Sequence, residues 1–237
     1  MAHKHLALRA RPLSDYCRFG LVLVLLLAPG SVAAQDRDQD RDRTAARQAI
    51  AEGDRLFKEE TGQSWLRAID KFKEALALQR ALSDRSGEVS TITRIGSSYQ
   101  KLGDFRKTIE YWELALPIHH DLGKFGSEGL LLVNIGNVYK SLNENERALS
   151  TYVQAIPLLR VSGLREREAS GLTAIGGIYN DLGEKQKALD FLRRALALFR
   201  EQGNKQAVAS LLYQLGLTHD LIGEREKRSS ALKKDWS

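Results

Sequence analysis

From residue 45 onward, apolar positions recur at steps of three and four. Ile92, Ile95, Gly96, Tyr99 and Leu102 fall on one face of a helix. Ile109, Trp112, Ala115 and Leu116 fall on one face of a second helix. The pair returns forty residues later, with Leu149, Tyr152, Ala155 and Ile156 in its second helix. Glycine stands at 96, 136, 176 and 216, preceded by Ile95, Ile135, Ile175 and Leu215. Tyr99, Tyr139, Tyr179 and His219 come three residues later, then Leu102, Leu142, Leu182 and Ile222. Gly103, Asn143, Gly183 and Gly223 are predicted to end the first helices, and Gly123, Gly163 and Gly203 the second ones. A left-handed residue closes many helices, and Gly or Asn takes that conformation at least cost. No sustained period-two alternation occurs, so strands are not expected.

Small residues at two columns have a packing reason. Gly96 and Ala115 remove bulk, so paired helices approach closely while Tyr99 and Trp112 fill the remaining space. An imperfect earlier copy has Ala68, Phe72, Ala75 and Leu76 in the second-helix columns. Its first helix is predicted over 45–60, with Gly53 in the glycine role and the turn 61–64 absorbing three extra residues. The last copy fails differently: Arg228 and Ser229 replace apolar core residues. The expected array is 45–223, in units of 45–82, 83–122, 123–162, 163–202 and 203–223. Residues 224–237 are expected to be a partial last repeat or a polar capping tail.

The N-terminus has a different pattern. Residues 1–20 are basic and irregular, Leu21 to Ala28 is uncharged and apolar, and Pro29, Gly30 and small residues come next. This is the layout of a secretory signal over 1–34, with cleavage after Ala34. The expected destination is secreted or periplasmic, across a bacterial inner membrane, without stable membrane insertion after cleavage. The alternative is a tether by an uncleaved signal, although a spanning helix wants about 20 apolar residues. Residues 35–44 mix Asp and Arg with no apolar residue and read as a solvated spacer.

Composition sharpens this division. The 237 residues carry a formal charge of +6, from 36 Lys and Arg against 30 Asp and Glu. Residues 1–34 hold four of those bases, one of the acids and the only cysteine, Cys17, so the remainder has a net charge of +3. A disulfide scaffold, a cysteine nucleophile and a thiolate metal site are therefore excluded from the array. A hydrophobic fraction of 43% argues against disorder. The weak charge, interspersed with acids, argues against nucleic acid.

The columns Leu132, Ile135, Gly136, Tyr139, Leu142, Ala148, Tyr152 and Ala155 resemble the tetratricopeptide repeat. The forty-residue period resembles the longer-helix branch, as in kinesin light chains. Segments 135–160 and 175–200 resemble bacterial arrays that often precede a caspase-like CHAT protease domain. The resemblance implies an all-α fold, a right-handed α-solenoid of antiparallel helix pairs. Its first helices are implied to line a concave groove that binds a protein or peptide. The alternative it implies is the regulatory N-terminal part of a larger CHAT-type enzyme.

Catalytic chemistry is not expected. No GxSxG, HExxH, Walker or dinucleotide motif occurs. His119 and His120 are adjacent and diverge on a helix, so they do not make the i, i+4 pair that a metal prefers. His119 and His219 read as packing residues. Trp112 and Tyr152 share a core column, and neither cofactor nor metal is expected. The stripe beside the buried face runs through Thr93, Ser97, Gln100 and Lys101, then Asn137 and Lys140, then Asn180 and Asp181, then Tyr213. Ser97, Gln100, Lys101, Asn137, Lys140, Asn180 and Tyr213 are the candidate partner-binding residues, because amides hydrogen-bond peptide backbone and lysines engage carboxylates. Self-association through the solenoid ends is a further expectation.

Overall fold

The computed structural model describes residues 29–235, with side chains described from 35 to 220. Those residues form helices joined by short links, with no strand among them: α1 (Pro29–Phe57), α2 (Gly62–Ala81), α3 (Arg85–Lys101), α4 (Phe105–Asp121), α5 (Phe125–Ser141), α6 (Asn145–Val161), α7 (Arg165–Asp181), α8 (Lys185–Glu201) and α9 (Lys205–Asp235). Consecutive helices pack on one another along the chain. The architecture is an all-α helical-repeat solenoid.

The links explain the regularity. Helices α3 to α8 are each 17 residues long and are separated by three residues. The middle residue of each link is left-handed: Gly103 has φ +77°, and Asn143 takes the role with φ +58°. The chain then turns back on the last carbonyls of the helix it leaves. Gly103 N–H donates to the Gln100 carbonyl at 3.1 Å, and Asp104 N–H donates to the Tyr99 carbonyl at 3.0 Å. Ser83 holds the same place between α2 and α3 with φ +57°, where the sequence carries no glycine signal. Such a residue costs about 1–2 kcal/mol more than glycine in this conformation.

Helix pairs are locked by a knob on bare backbone. A Cβ added at Gly96 would lie 2.4 Å from the Trp112 ring, and one at Gly136 would lie 2.8 Å from the Tyr152 ring. At Gly176 the neighbour is Leu192, and at Gly53 it is Phe72. Trp112 itself therefore occupies the space that Gly96 opens, while Tyr99 stacks on Tyr111 with centroids 5.4 Å apart. Two main core clusters result, one from Leu56 to Val138 and one from Ala148 to Leu215; Leu132, Ala155 and Leu159 form a smaller one.

Successive pairs are also clamped by buried carboxylates. Glu88 is held by Arg80 at 2.9 Å and Arg85 at 2.8 Å. Glu168 is held by Arg160 at 2.7 Å and Arg165 at 3.1 Å. Between these junctions His120 replaces the arginine, with its Nδ1 3.1 Å from Glu128.

Three expectations are corrected. Residues 35–44 are not a spacer but part of α1, which begins at Pro29 rather than at 45. Between Ser31 and Glu52 the sequence has no Gly or Pro to stop a helix, and exposed pairs such as Arg43–Asp40 at 3.0 Å sit one turn apart. Gly223 does not end α9, which is helical through it to Asp235. With Arg228 and Ser229 at core columns, no apolar face rewards a turn there. His219 is exposed rather than packed, because among the described residues no second helix packs on α9 at that column; its Nε2 lies 3.4 Å from Arg193. The basic and apolar stretches of the expected signal, residues 1–28 with Cys17, lie outside the described residues.

Candidate functional site: the layer of odd-numbered helices

Helices α1, α3, α5, α7 and α9 stand side by side, tied by side chains roughly forty residues apart in sequence. Arg94 Nε of α3 donates to Asp54 Oδ1 of α1 at 2.9 Å. Lys124 Nζ, at the start of α5, donates to Ser86 Oγ of α3 at 2.8 Å. Asn180 Nδ2 of α7 donates to Thr218 Oγ1 of α9 at 2.9 Å.

A cavity of about 660 Å³ opens in this layer between α1, α3 and α5. Phe57, Phe72, Val89, Leu130 and Leu131 supply its apolar lining. Ser86, Ser90, Thr93 and Ser97 line it along α3, and Ser127 and Asn134 line it along α5. Charge enters from Arg94, Lys124 and Asp54, and the His119 ring closes one side. Burial, helped by the Lys124 charge, pushes the His119 imidazole below its ordinary range. Its buried Nδ1 has no hydrogen-bond partner among the described residues. The mixture of an apolar floor, neutral hydroxyls and a few charges suits an amphipathic group.

The seven residues chosen from the sequence are not brought to one spot. Ser97 lines the cavity, although its hydroxyl donates to the Thr93 carbonyl at 3.0 Å. Gln100 and Lys101 are exposed on the last turn of α3, beyond the cavity lining. Asn137 is exposed, but its Oδ1 accepts from the Tyr152 hydroxyl at 2.6 Å. Burial pushes that phenol up to about 12, so it stays a neutral donor. Lys140 lies across the next unit, with Nζ 3.7 Å from where a Gly177 Cβ would be. Asn180 is part-buried and committed to Thr218, and Tyr213 is exposed on α9. Sequence reasoning missed Ser86, Ser90, Arg94, His119, Lys124, Ser127 and Asn134. One signal was present: Ser86, Ser90, Arg94 and Ser97 step along a single face of α3, beside the stripe through Thr93 and Gln100.

Among the described residues, no group of three or more His, Cys, Asp or Glu is placed to hold a metal ion. No helix among them is long and apolar enough to cross a membrane.

Layered helix pairs define the class, an all-α helical-repeat solenoid. Residues 131–164 and 169–202 each match a family model described as tetratricopeptide repeat. No curated protein matches the sequence. Among solved structures, the apo form of RapI superposes with a TM-score of 0.68 at 17% identity, over 85% of this chain and 55% of that one. A putative kinesin light chain from Podosopora anserina, with nearly identical TPR-like repeats, has a TM-score of 0.59 at 14% identity, over 80% of this chain and 93% of that one. MamA (41 to the end) from Desulfovibrio magneticus RS-1 has a TM-score of 0.56 at 13% identity, over 80% and 92%. At these identities the likeness is one of fold.

Proposed function

We propose that this protein is a non-catalytic interaction scaffold that binds an extended segment of a protein or peptide partner along the odd-numbered helices. The observation that carries this reading is the cavity between α1, α3 and α5. Its volume suits one or two side chains, and its hydroxyl rim and cations suit the polar backbone around them. Asn137 and Lys140 continue the path onto the next unit. The basic, apolar and small-residue order of 1–34 supports export, with the partner met outside the cytoplasm.

Affinity capture from the native envelope fraction tests the scaffold reading. Arg94→Ala/Lys124→Ala should lose the partner that wild type recovers, with unchanged helical circular dichroism. Lys140→Ala should weaken its recovery. Equal recovery by all three proteins overturns the groove. Sequencing the N-terminus of the exported chain tests the address, with Gln35 expected as the first residue. An intact N-terminus in a soluble cytoplasmic pool overturns export.

A further inference from the structure

Gly216 continues the glycine series 96, 136 and 176, yet among the described residues no side chain seats on it. Nothing lies within 4 Å of a Cβ added there. The surrounding face of α9 is bare as well. Leu212 is 46% exposed, whereas Ile92, Leu132 and Leu172, at the same place in earlier units, are 1%, 5% and 1% exposed. Tyr213 is 69% exposed and Leu217 47%. With exposed Ala209 and Asp220, these positions step by three and four along one helix face, opposite buried Leu211, Leu215 and Thr218.

The stripe is complementary to itself. Let a second α9 run antiparallel, with the two-fold axis between Gln214 and Leu215. Tyr213 then faces Gly216, Leu212 faces Leu217, and Ala209 faces Asp220. The large exposed ring meets the empty socket twice, by symmetry. A parallel pairing in register would set ring against ring and socket against socket. Asp220 is the only charge in the stripe, and the antiparallel register keeps the two copies of it at opposite ends, about 16 Å apart. The chain's own next stretch is a poor occupant. Arg228 and Ser229 stand where a second helix needs buried apolar residues, and α9 runs straight through Gly223.

We propose that this face of α9 is the two-fold interface of a homodimer, with Tyr213 of each copy seated over Gly216 of the other. The apolar part of the stripe, from Ala209 to Leu217, spans only about 12 Å of helix, so the interface is small. The interface is independent of the groove between α1, α3 and α5. Tyr213 leaves the partner-binding set and serves self-recognition instead.

Sedimentation equilibrium of the full chain, from low micromolar to several hundred micromolar, tests the dimer. The mass should rise from one chain to two and stop, because a two-fold contact closes. Tyr213→Asp and Gly216→Leu should each weaken association at least about tenfold, with unchanged circular dichroism, since both sites are exposed. In the chain beginning at Gln35, which carries no cysteine of its own, mixing Tyr213→Cys with Gly216→Cys chains should yield a disulfide faster than either chain alone. A one-chain mass throughout overturns the proposal. So does association that survives Tyr213→Asp, and so does a disulfide that forms no faster in the mixture.

Discussion

In the interior units a glycine on the first helix is covered by a large side chain of the second. Trp112 seats on Gly96, Tyr152 on Gly136 and Leu192 on Gly176. In α9 nothing among the described residues covers the same glycine. The two regions share a first-helix pattern and differ in the stretch of chain after it. Apolar columns in the next helix turn a glycine into a packed socket. Arg and Ser at those columns leave a surface instead. A repeat unit is therefore completed by its neighbour, as a quasi-one-dimensional array requires.

The contrast is open to direct attack. The largest expected effect is at Tyr152→Ala, which empties a filled socket and removes the hydrogen bond to Asn137. A loss of about 3–5 kcal/mol in denaturant unfolding is expected. A loss below about 1 kcal/mol would show that interior sockets do not carry the packing.

Next comes a pair with opposite signs. Gly96→Ala drives a Cβ into the Trp112 ring and should destabilise by about 1–3 kcal/mol. Gly216→Ala meets nothing and removes glycine's conformational freedom from a helix. It should stabilise by about 0.5–1 kcal/mol, measured at a concentration where the chain is monomeric. Equal signs would break the comparison.

A smaller effect concerns the clamps. Burial pushes the Glu88 carboxyl up, but the hydrogen bonds and charges of Arg80 and Arg85 outweigh it and hold the carboxyl below its ordinary value. A folded value below the unfolded one stabilises fully above the ordinary carboxylate range near about 4.3 and is lost as pH falls through the folded value. Wild type should therefore lose melting temperature in acid more steeply than Glu88→Gln. Parallel slopes between about pH 5 and 2 would remove the clamp from the account.

The smallest expected effect is at the middle junction. His120→Arg should restore the arginine of the flanking clamps and stabilise by up to about 1 kcal/mol, because a guanidinium brings a permanent charge and a fork of donors to the Glu128 carboxylate. Any destabilisation would show that the histidine is required for another reason.

Much of the fold was legible because its signals are local. The steps of three and four through Ile92, Ile95 and Tyr99 depend only on helix geometry, and so do the link residues Gly103 and Asn143. Ser83 was not legible, since its left-handed backbone is imposed by the packing of α2 and α3 rather than by its own preference. The start of α1 was not legible either, because solvated charges do not distinguish a coil from an exposed helix. For the candidate site, Ser97 was legible as part of a stripe. Lys124 and His119 were not, because they come from a link and from the end of α4 and reach the cavity only through the stacking of units.

The sequence by itself determined the helix pairs, their register and the columns that must be small or large, because helix periodicity of 3.6 residues and steric limits at glycine dictate them. Tertiary structure alone decided which sockets are filled, which polar groups are already committed and where a cavity opens. Those outcomes depend on contacts between residues some forty positions apart, and no local pattern states whether the partner side chain arrives.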